Sequence, residues 1–410
     1  NLIFTGQTVL MHISTPPITI TAEKIYIIPS FMAERSYTQS MKIIFSKPAL
    51  LNGINIVLKA VPSKTTMPIL ECILIDAEQQ DVKLTANDMD LGIETTIEGN
   101  ILEKGKIAID AKLFSEIIRK LPDSDVILET DSSGLMTITC ENSKFRIPGQ
   151  PGDEFTYLPD IEKSSYICLS QFTLKEVIRQ TIFSIAANDN NKIMTGELFE
   201  VHENQLKVVS LDGHRIAIRN VELKDVYPDQ KVIVPGKTLN EISKILSGDA
   251  EKDVYIFFTK NHISFEFDNT IVVSRLIEGE YFRINQMLSS DYETKITINK
   301  KELLDSIERS TLLIRESDKK PIILDFDDHR LEISLNSAIG SMKEEILIRK
   351  QGKDIMIGFN PRFLIDALRV IDDEEVDLYM INAKAPCFIR DEEERYIYLI
   401  LPVNFNPVRN

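Results

Sequence analysis

One pattern recurs three times along the chain, and the recurrence constrains the fold more than any single motif does. KIAIDAKLFSEIIRKLPDSDVILET begins at Lys106, KVIVPGKTLNEISKILSGDAEKDVYIFF at Lys231 and DIMIGFNPRFLIDALRVIDDEEVDLYM at Asp354. The spacing is about 125 residues, roughly one small domain. Each copy reads as a short apolar strand, a helix with apolar residues at i, i+3 and i+4, an acidic turn and another strand.

The units also open alike. FSKPALLNGINIVLKAVP, LSQFTLKEVIRQTIFSIA and INKKELLDSIERSTLLI each put a Ser or Asn before an amphipathic helix, where a side-chain oxygen can accept the first free amides. ILECILIDAEQQDVKLTAND, TGELFEVHENQLKVVSLDG and PIILDFDDHRLEISLNS alternate apolar and polar residues about a polar turn, so each predicts a hairpin. The fold class is therefore α+β: three tandem units, each with two helices and antiparallel strands. Pro, Gly, Ser and charge cluster in PGQPGDEFTYLPDIEKSS and QMLSSDYET, which sets the units at 41–160, 165–285 and 293–403. Residues 1–40 keep no sustained period and lack the layout of a signal peptide. They are expected to be an upstream extension without regular order, and 404–410 a tail in solvent.

Composition narrows the partners. With 43% hydrophobic and 27% charged residues the chain has the make-up of a soluble globular protein, and no apolar run approaches the ~20 residues of a membrane-spanning helix. Cys72, Cys140, Cys168 and Cys387 lie far apart with no CxxC pair. This speaks against a disulfide framework or a zinc site and suits a reducing cytosol. No cofactor or metal is expected. A net charge of −16 argues against a simple basic nucleic-acid binder. Yet the predicted helices are rich in cations: Lys47, Lys59, Lys175, Arg179, Lys300, Lys301 and Arg309 on the first of each pair, and Lys112, Arg119, Lys120, Lys237, Lys244, Arg362 and Arg369 on the second. If these helices share one side, they make a locally positive surface that attracts phosphates without reading sequence.

SLDGHRIAIRN, residues 210–220, crowds Asp212, His214 and Arg215 around Gly213. It can be a hairpin turn or an acid–base site of a hydrolase with His214 oriented by Asp212. No G-x-S-x-G, P-loop or HExxH accompanies it, and neighbouring residues on a strand point to opposite faces. TANDMDLGI from Thr85 and SLNSAIGSM from Ser334 hold its place in the other copies. The turn thus belongs to the scaffold, and Gly-His-Arg to a task of the middle unit alone.

The three repeats, with SLDGHRIAI in the middle copy, VIVPGKTLNEI after it and YLILPV near the end, resemble the bacterial DNA polymerase III beta subunit family, the sliding clamps, from Met41 to about Val403. The resemblance implies a DNA-clamp-type fold, a head-to-tail homodimeric ring of six domains around duplex DNA, cytoplasmic and non-enzymatic. It further implies partner peptides, the replicative polymerase's among them, and a separate ATP-dependent clamp loader. A monomeric repeat scaffold that binds proteins but no DNA is the alternative. Carried over residue by residue, the implied peptide groove uses Met194, Leu211, Gly213, His214, Arg215, Ile216, Phe282, Met287, Leu399, Ile400, Leu401, Pro402 and Val403. The implied DNA contacts are Lys64, Asn188, Asn191, Lys192 and Lys237, the loop ANDNNKIM offering amides where the family offers aromatics and an arginine. The implied subunit interface sets Phe145 and Ile147 against Leu312 and Leu313, with Lys112 and Lys144 facing Glu344 and Glu345. Phe282 stands where the family has a proline on the groove rim.

Overall fold

Ser46, Ser170 and Asn299 each end one strand and start one helix. Their side chains accept from the amides of Ala49, Thr173 and Glu302 at 3.4, 3.1 and 3.0 Å, the capping that the sequence predicts. The structure, a computed structural model, describes residues 40–187, 190–289, 291–315 and 320–405. Of the expected N-terminal extension, 1–40, residues 1–39 lie outside the described residues.

The first repeat comprises β1 (Met41–Ser46), α1 (Lys47–Val57), β2 (Cys72–Asp76), β3 (Val82–Asn87), β4 (Leu91–Ile97), β5 (Asn100–Glu103), β6 (Lys106–Asp110), α2 (Ala111–Lys120), β7 (Asp125–Thr130), β8 (Leu135–Cys140) and β9 (Ser143–Pro151). In the second, two long strands do the work of five: β10 (Tyr166–Ser170), α3 (Gln171–Thr181), β11 (Gly196–Leu211), β12 (Arg215–Pro235), α4 (Gly236–Ile245), β13 (Asp253–Phe258), β14 (His262–Phe267) and β15 (Thr270–Arg275). The third returns to the first pattern. It has β16 (Thr294–Asn299), α5 (Lys300–Thr311), β17 (Ile322–Phe326), β18 (Arg330–Asn336), β19 (Ser341–Leu347), β20 (Arg349–Gly352) and β21 (Ile355–Phe359). After these come α6 (Pro361–Val370), β22 (Glu375–Met380), β23 (Cys387–Arg390) and β24 (Tyr396–Ile400).

The two helices of each repeat pack together, and a lysine ties them in the same way three times. Lys47, Lys175 and Lys300 donate from Nζ to the carbonyls of Leu121, Leu246 and Ile371 at 2.5, 3.1 and 2.8 Å. Those carbonyls belong to the C-caps of α2, α4 and α6, where the helix leaves acceptors unsatisfied and favours a cation. These three lysines, expected to face phosphates, are thus already engaged within the fold.

The sheets run across the repeat boundaries. β4 pairs antiparallel with β15, from Thr95 opposite Thr270 to Leu91 opposite Ser274. β12 pairs with β24, from Arg219 opposite Tyr396 to Arg215 opposite Ile400. Each seam therefore joins the strand after one particular turn to the last strand of the next repeat. The turn closes with the same hydrogen bond in all copies: the amides of Asp88, Asp212 and Ser337 donate to the carbonyls of Leu91, Arg215 and Gly340 at 3.0, 3.3 and 2.9 Å. Side chains at the first position accept from the amide three residues on, at 2.7, 3.1 and 3.4 Å. Asp212 thus matches Asp88 and Ser337, one residue away from the alignment that the strings suggest, because the hydrogen bonds rather than the letters fix the register.

Two strand edges of the same types remain open among the described residues. β19 pairs only with β18. On β9, Ser143–Pro148 pairs with β8, while β6 reaches only Gly149–Pro151. One apolar cluster runs through the first two repeats and a second fills the third. A smaller one lies where the middle and last repeats meet.

Candidate functional site

The junction cluster is assembled from strands whose side chains alternate between two faces. Leu211 and Ile216 from the β11–β12 turn region meet Ile397 and Leu399 of β24, with Tyr281 and Ile284 of the connector beneath. Met194, Phe282 and Leu288 pack against these residues from outside. Leu211, Ile216 and Leu399 are buried, while Met287 is 50% exposed and Leu401 37%. The floor is thus apolar and already covered by movable side chains, including methionine, which repacks at low cost. Ile400 departs from expectation. It lies one residue from Leu399 and so faces the core of the third repeat instead of the groove.

Arg215 is the latch of this junction. Its Nε donates to Asp212 Oδ2 at 3.0 Å, its Nη1 to Asp366 Oδ2 at 2.7 Å and its Nη2 to the Phe183 carbonyl at 2.6 Å. The guanidinium also lies over the rings of Phe363 and Phe183, 4.5 and 5.4 Å from their centroids. A planar fork that is charged at any physiological pH suits this role. Phe183, Phe363 and Asp366 are missing from the sequence reading, because each is an ordinary helix or turn residue until the fold brings it to Arg215.

Asp212 and His214 do not form a catalytic pair. The Asp212 carboxylate accepts the amides of His214 and Arg215 at 3.0 and 3.1 Å, while the His214 ring stacks on Phe363 at 5.9 Å. Gly213 has φ +83° with no atom within 4 Å of an added Cβ, so glycine serves the left-handed turn rather than a tight contact. The His214 carbonyl accepts from the Leu401 amide at 2.9 Å, and the Gly358 carbonyl from the Val403 amide at 2.8 Å. Pro402 and Val403 are thereby held between the two repeats. The tail expectation is corrected at its start, since Phe405 packs against Gly358; residues 406–410 lie outside the described residues.

Close to this junction sits one buried acid. Glu197, on β11, is fully buried, and burial pushes its carboxyl up to about 8. The Thr181 hydroxyl lies 2.7 Å from the Val177 carbonyl and donates toward Glu197 Oε2 at 3.1 Å; the second contact favours the ionised carboxyl, but burial outweighs it.

Of the expected DNA contacts, Lys64 and Lys192 are exposed. Lys237 forms an ion pair with Asp88 across the first seam. The Asn191 side chain accepts from the Ile193 amide at 3.2 Å and caps a short 3-10 turn. Asn188 lies outside the described residues. Of the interface candidates, Lys112, Lys144, Phe145 and Leu312 are exposed and Leu313 half-buried, but Ile147 is buried in its own repeat's core. Within the chain Glu344 pairs with Arg309 and Glu345 with Arg330. No group of three His, Cys, Asp or Glu that could hold a metal occurs among the described residues, and no helix there is long and apolar enough to cross a membrane.

Three α+β repeats joined edge to edge, with an apolar junction between the last two, define a three-domain clamp subunit. Profiles of the DNA polymerase III beta subunit match in sequence: the N-terminal domain over 41–159, the central domain over 168–282 and the C-terminal domain over 285–404. The beta sliding clamp of Staphylococcus aureus is 35% identical over 374 residues, 88% of this chain and 99% of that protein. A DNA polymerase III beta subunit structure from Eubacterium rectale is 67% identical with a TM-score of 0.87, covering 89% of this chain and all of the other. The Bacillus subtilis DNA polymerase sliding clamp is 34% identical with a TM-score of 0.87, covering 90% and all. The chain belongs to the DNA polymerase III beta subunit family, the beta sliding clamps, which are non-catalytic processivity subunits.

Proposed function

We propose that two copies of this chain close head to tail into a ring around duplex DNA, and that the groove beside Arg215 tethers the replicative polymerase and other peptide-bearing partners. The observation that carries this reading is the pair of open edges. The hairpin that pairs Cys140 with Ser143 corresponds to the one that pairs Phe267 with Thr270. Ile147 therefore holds the place of Ser274 and Ile400, and Gly340 that of Leu91 and Arg215. Repeating the two existing seams puts Ile147 of one copy opposite Gly340 of the other, and Phe145 opposite Met342. A strand edge of this kind pairs unless something protects it, and a contact between unlike edges closes into a ring when the rotation fits.

Side chains support the same register. In the second seam Phe183 packs on Tyr398, with ring centroids 5.6 Å apart. Phe183 lies thirteen residues past the N-cap of α3, and Leu312 thirteen past that of α5; Phe145 holds the place of Tyr398. Leu312 is 78% exposed and Phe145 41%, and the third seam would cover both. His214, stacked on Phe363, likewise corresponds to exposed Ile339 and Leu113.

In this reading the exposed cations Lys64 and Lys192 touch phosphates, while the closed ring supplies retention. A tethered polymerase rebinds the primer end intramolecularly, at an effective concentration that free enzyme does not reach. Opening falls to a separate ATP-dependent loader, in the cytoplasm. The test is retention after loading: the protein stays on circular DNA in high salt and slides off the linear form. Equal loss from both, or a particle of one chain's 46.7 kDa mass at working concentration, refutes the ring. Polymerase binding by such a monomer would support the scaffold reading instead.

A further inference from the structure

The crossing made by Leu401–Val403 exists in all three repeats, and the third copy differs in a matched pair of residues. Ile277 donates its amide to the Ile233 carbonyl at 2.9 Å, as Val403 does to that of Gly358 at 2.8 Å; Gln150 lies opposite Ala108 in the first copy. Two residues beyond, the first two copies have Gly152 and Gly279, whereas the third has Phe405. On the facing strand the order is reversed. Ala108 and Ile233 stand where the third copy has Gly358.

The exchange is complementary in space. A Cβ on Gly358 would lie 2.6 Å from Phe405 Cδ1 and 2.8 Å from the Val403 carbonyl oxygen, closer than real Cβ contacts allow. The ring thus fills the volume that glycine leaves open on β21. In the other repeats the chain at this point enters a covalent connector to the next repeat. In the third copy the Phe405 ring on Gly358 holds the crossing in place.

We infer that Phe405 is the anchor of the groove's C-terminal wall, a positioning residue that fixes Leu401, Pro402 and Val403 for partner binding. This rests on the proposed groove. Without the anchor, the wall hangs on two backbone hydrogen bonds, and a segment with so few contacts opens easily. A partner must then order that segment as it binds.

The experiment uses full-length protein with Phe405→Ala, Gly358→Ala and the conservative Phe405→Leu, each examined by amide hydrogen exchange and by surface plasmon resonance with the purified catalytic subunit of the cognate replicative polymerase. Phe405→Ala and Gly358→Ala should speed exchange at the Leu401 and Val403 amides and weaken polymerase binding roughly five- to twentyfold. Phe405→Leu should restore most of both, and the melting temperature and mass of the particle should not move. Unchanged exchange at Leu401 and Val403 in Phe405→Ala overturns the anchor, as does faster exchange with unaltered affinity. Absence of polymerase binding by the unsubstituted protein overturns the groove itself, and the exchange data then show whether the anchor fails with it.

Discussion

Replacing Glu197 by Gln should stabilise the protein, and the gain should grow with pH. The native carboxyl titrates at about 8, against an ordinary value of 4.5, because full burial outweighs the hydrogen bond from Thr181. Below pH 4.5 both native and unfolded states hold the proton, and the acid costs nothing extra. Above it the unfolded carboxyl ionises while the native one does not, so stability is lost as pH rises from 4.5 to about 8. Each pH unit in that window removes about 1.4 kcal/mol, giving about 3 kcal/mol at pH 7. Glutamine keeps the shape, stays neutral and can accept from Thr181 Oγ1 through its amide oxygen, as the carboxyl does. Urea unfolding of both proteins at pH 5, 6, 7 and 8 measures the difference. A gap that stays constant across this range, or a less stable glutamine variant at pH 7, would show that the carboxyl is not held protonated.

Other substitutions address the seams and surfaces. Arg215→Ala strands Asp366 and the Phe183 carbonyl; since Asp366 is 35% exposed, the loss should be about 2–3 kcal/mol, below the value for a wholly buried pair, and visible as increased exchange along β24. Leu312→Asp places a charge against Phe145 in the proposed third seam, so analytical ultracentrifugation should find single chains whose circular dichroism is unaltered. Lys64→Ala combined with Lys192→Ala should lower the salt slope of DNA binding by about 2, while retention on circular DNA persists.

The repeats, the helix starts and the hairpins are legible in the sequence because they rest on local periodicity and capping. Gly213 and Arg215 are legible too, in that one copy departs there from its siblings. What escapes is set by partners far apart in the chain. Asp366 meets Arg215 across 151 residues, and nothing on α6 marks it beforehand. The misplacement of Ile400 has another cause: a family string names a stretch, whereas a strand sends alternate side chains to opposite sides. Lys47, Lys175 and Lys300 look like surface charge because sequence counts cations without counting the helix ends that claim them. Glu197 left no distinct trace, since the run GELFEV carries two acids, Glu197 and Glu200, and only the fold buries the first of them.

Every seam joins unlike edges, the strand after a turn to the final strand of the next repeat, and this gives a closed ring a handed sense of circulation. The twofold axis of such a dimer runs along the hole, so no rotation exchanges its two faces. Both copies of the Arg215 junction must then open on the same face. A duplex threaded through the ring has a front and a back, and two partners docked at once would stand side by side, facing the same way along it.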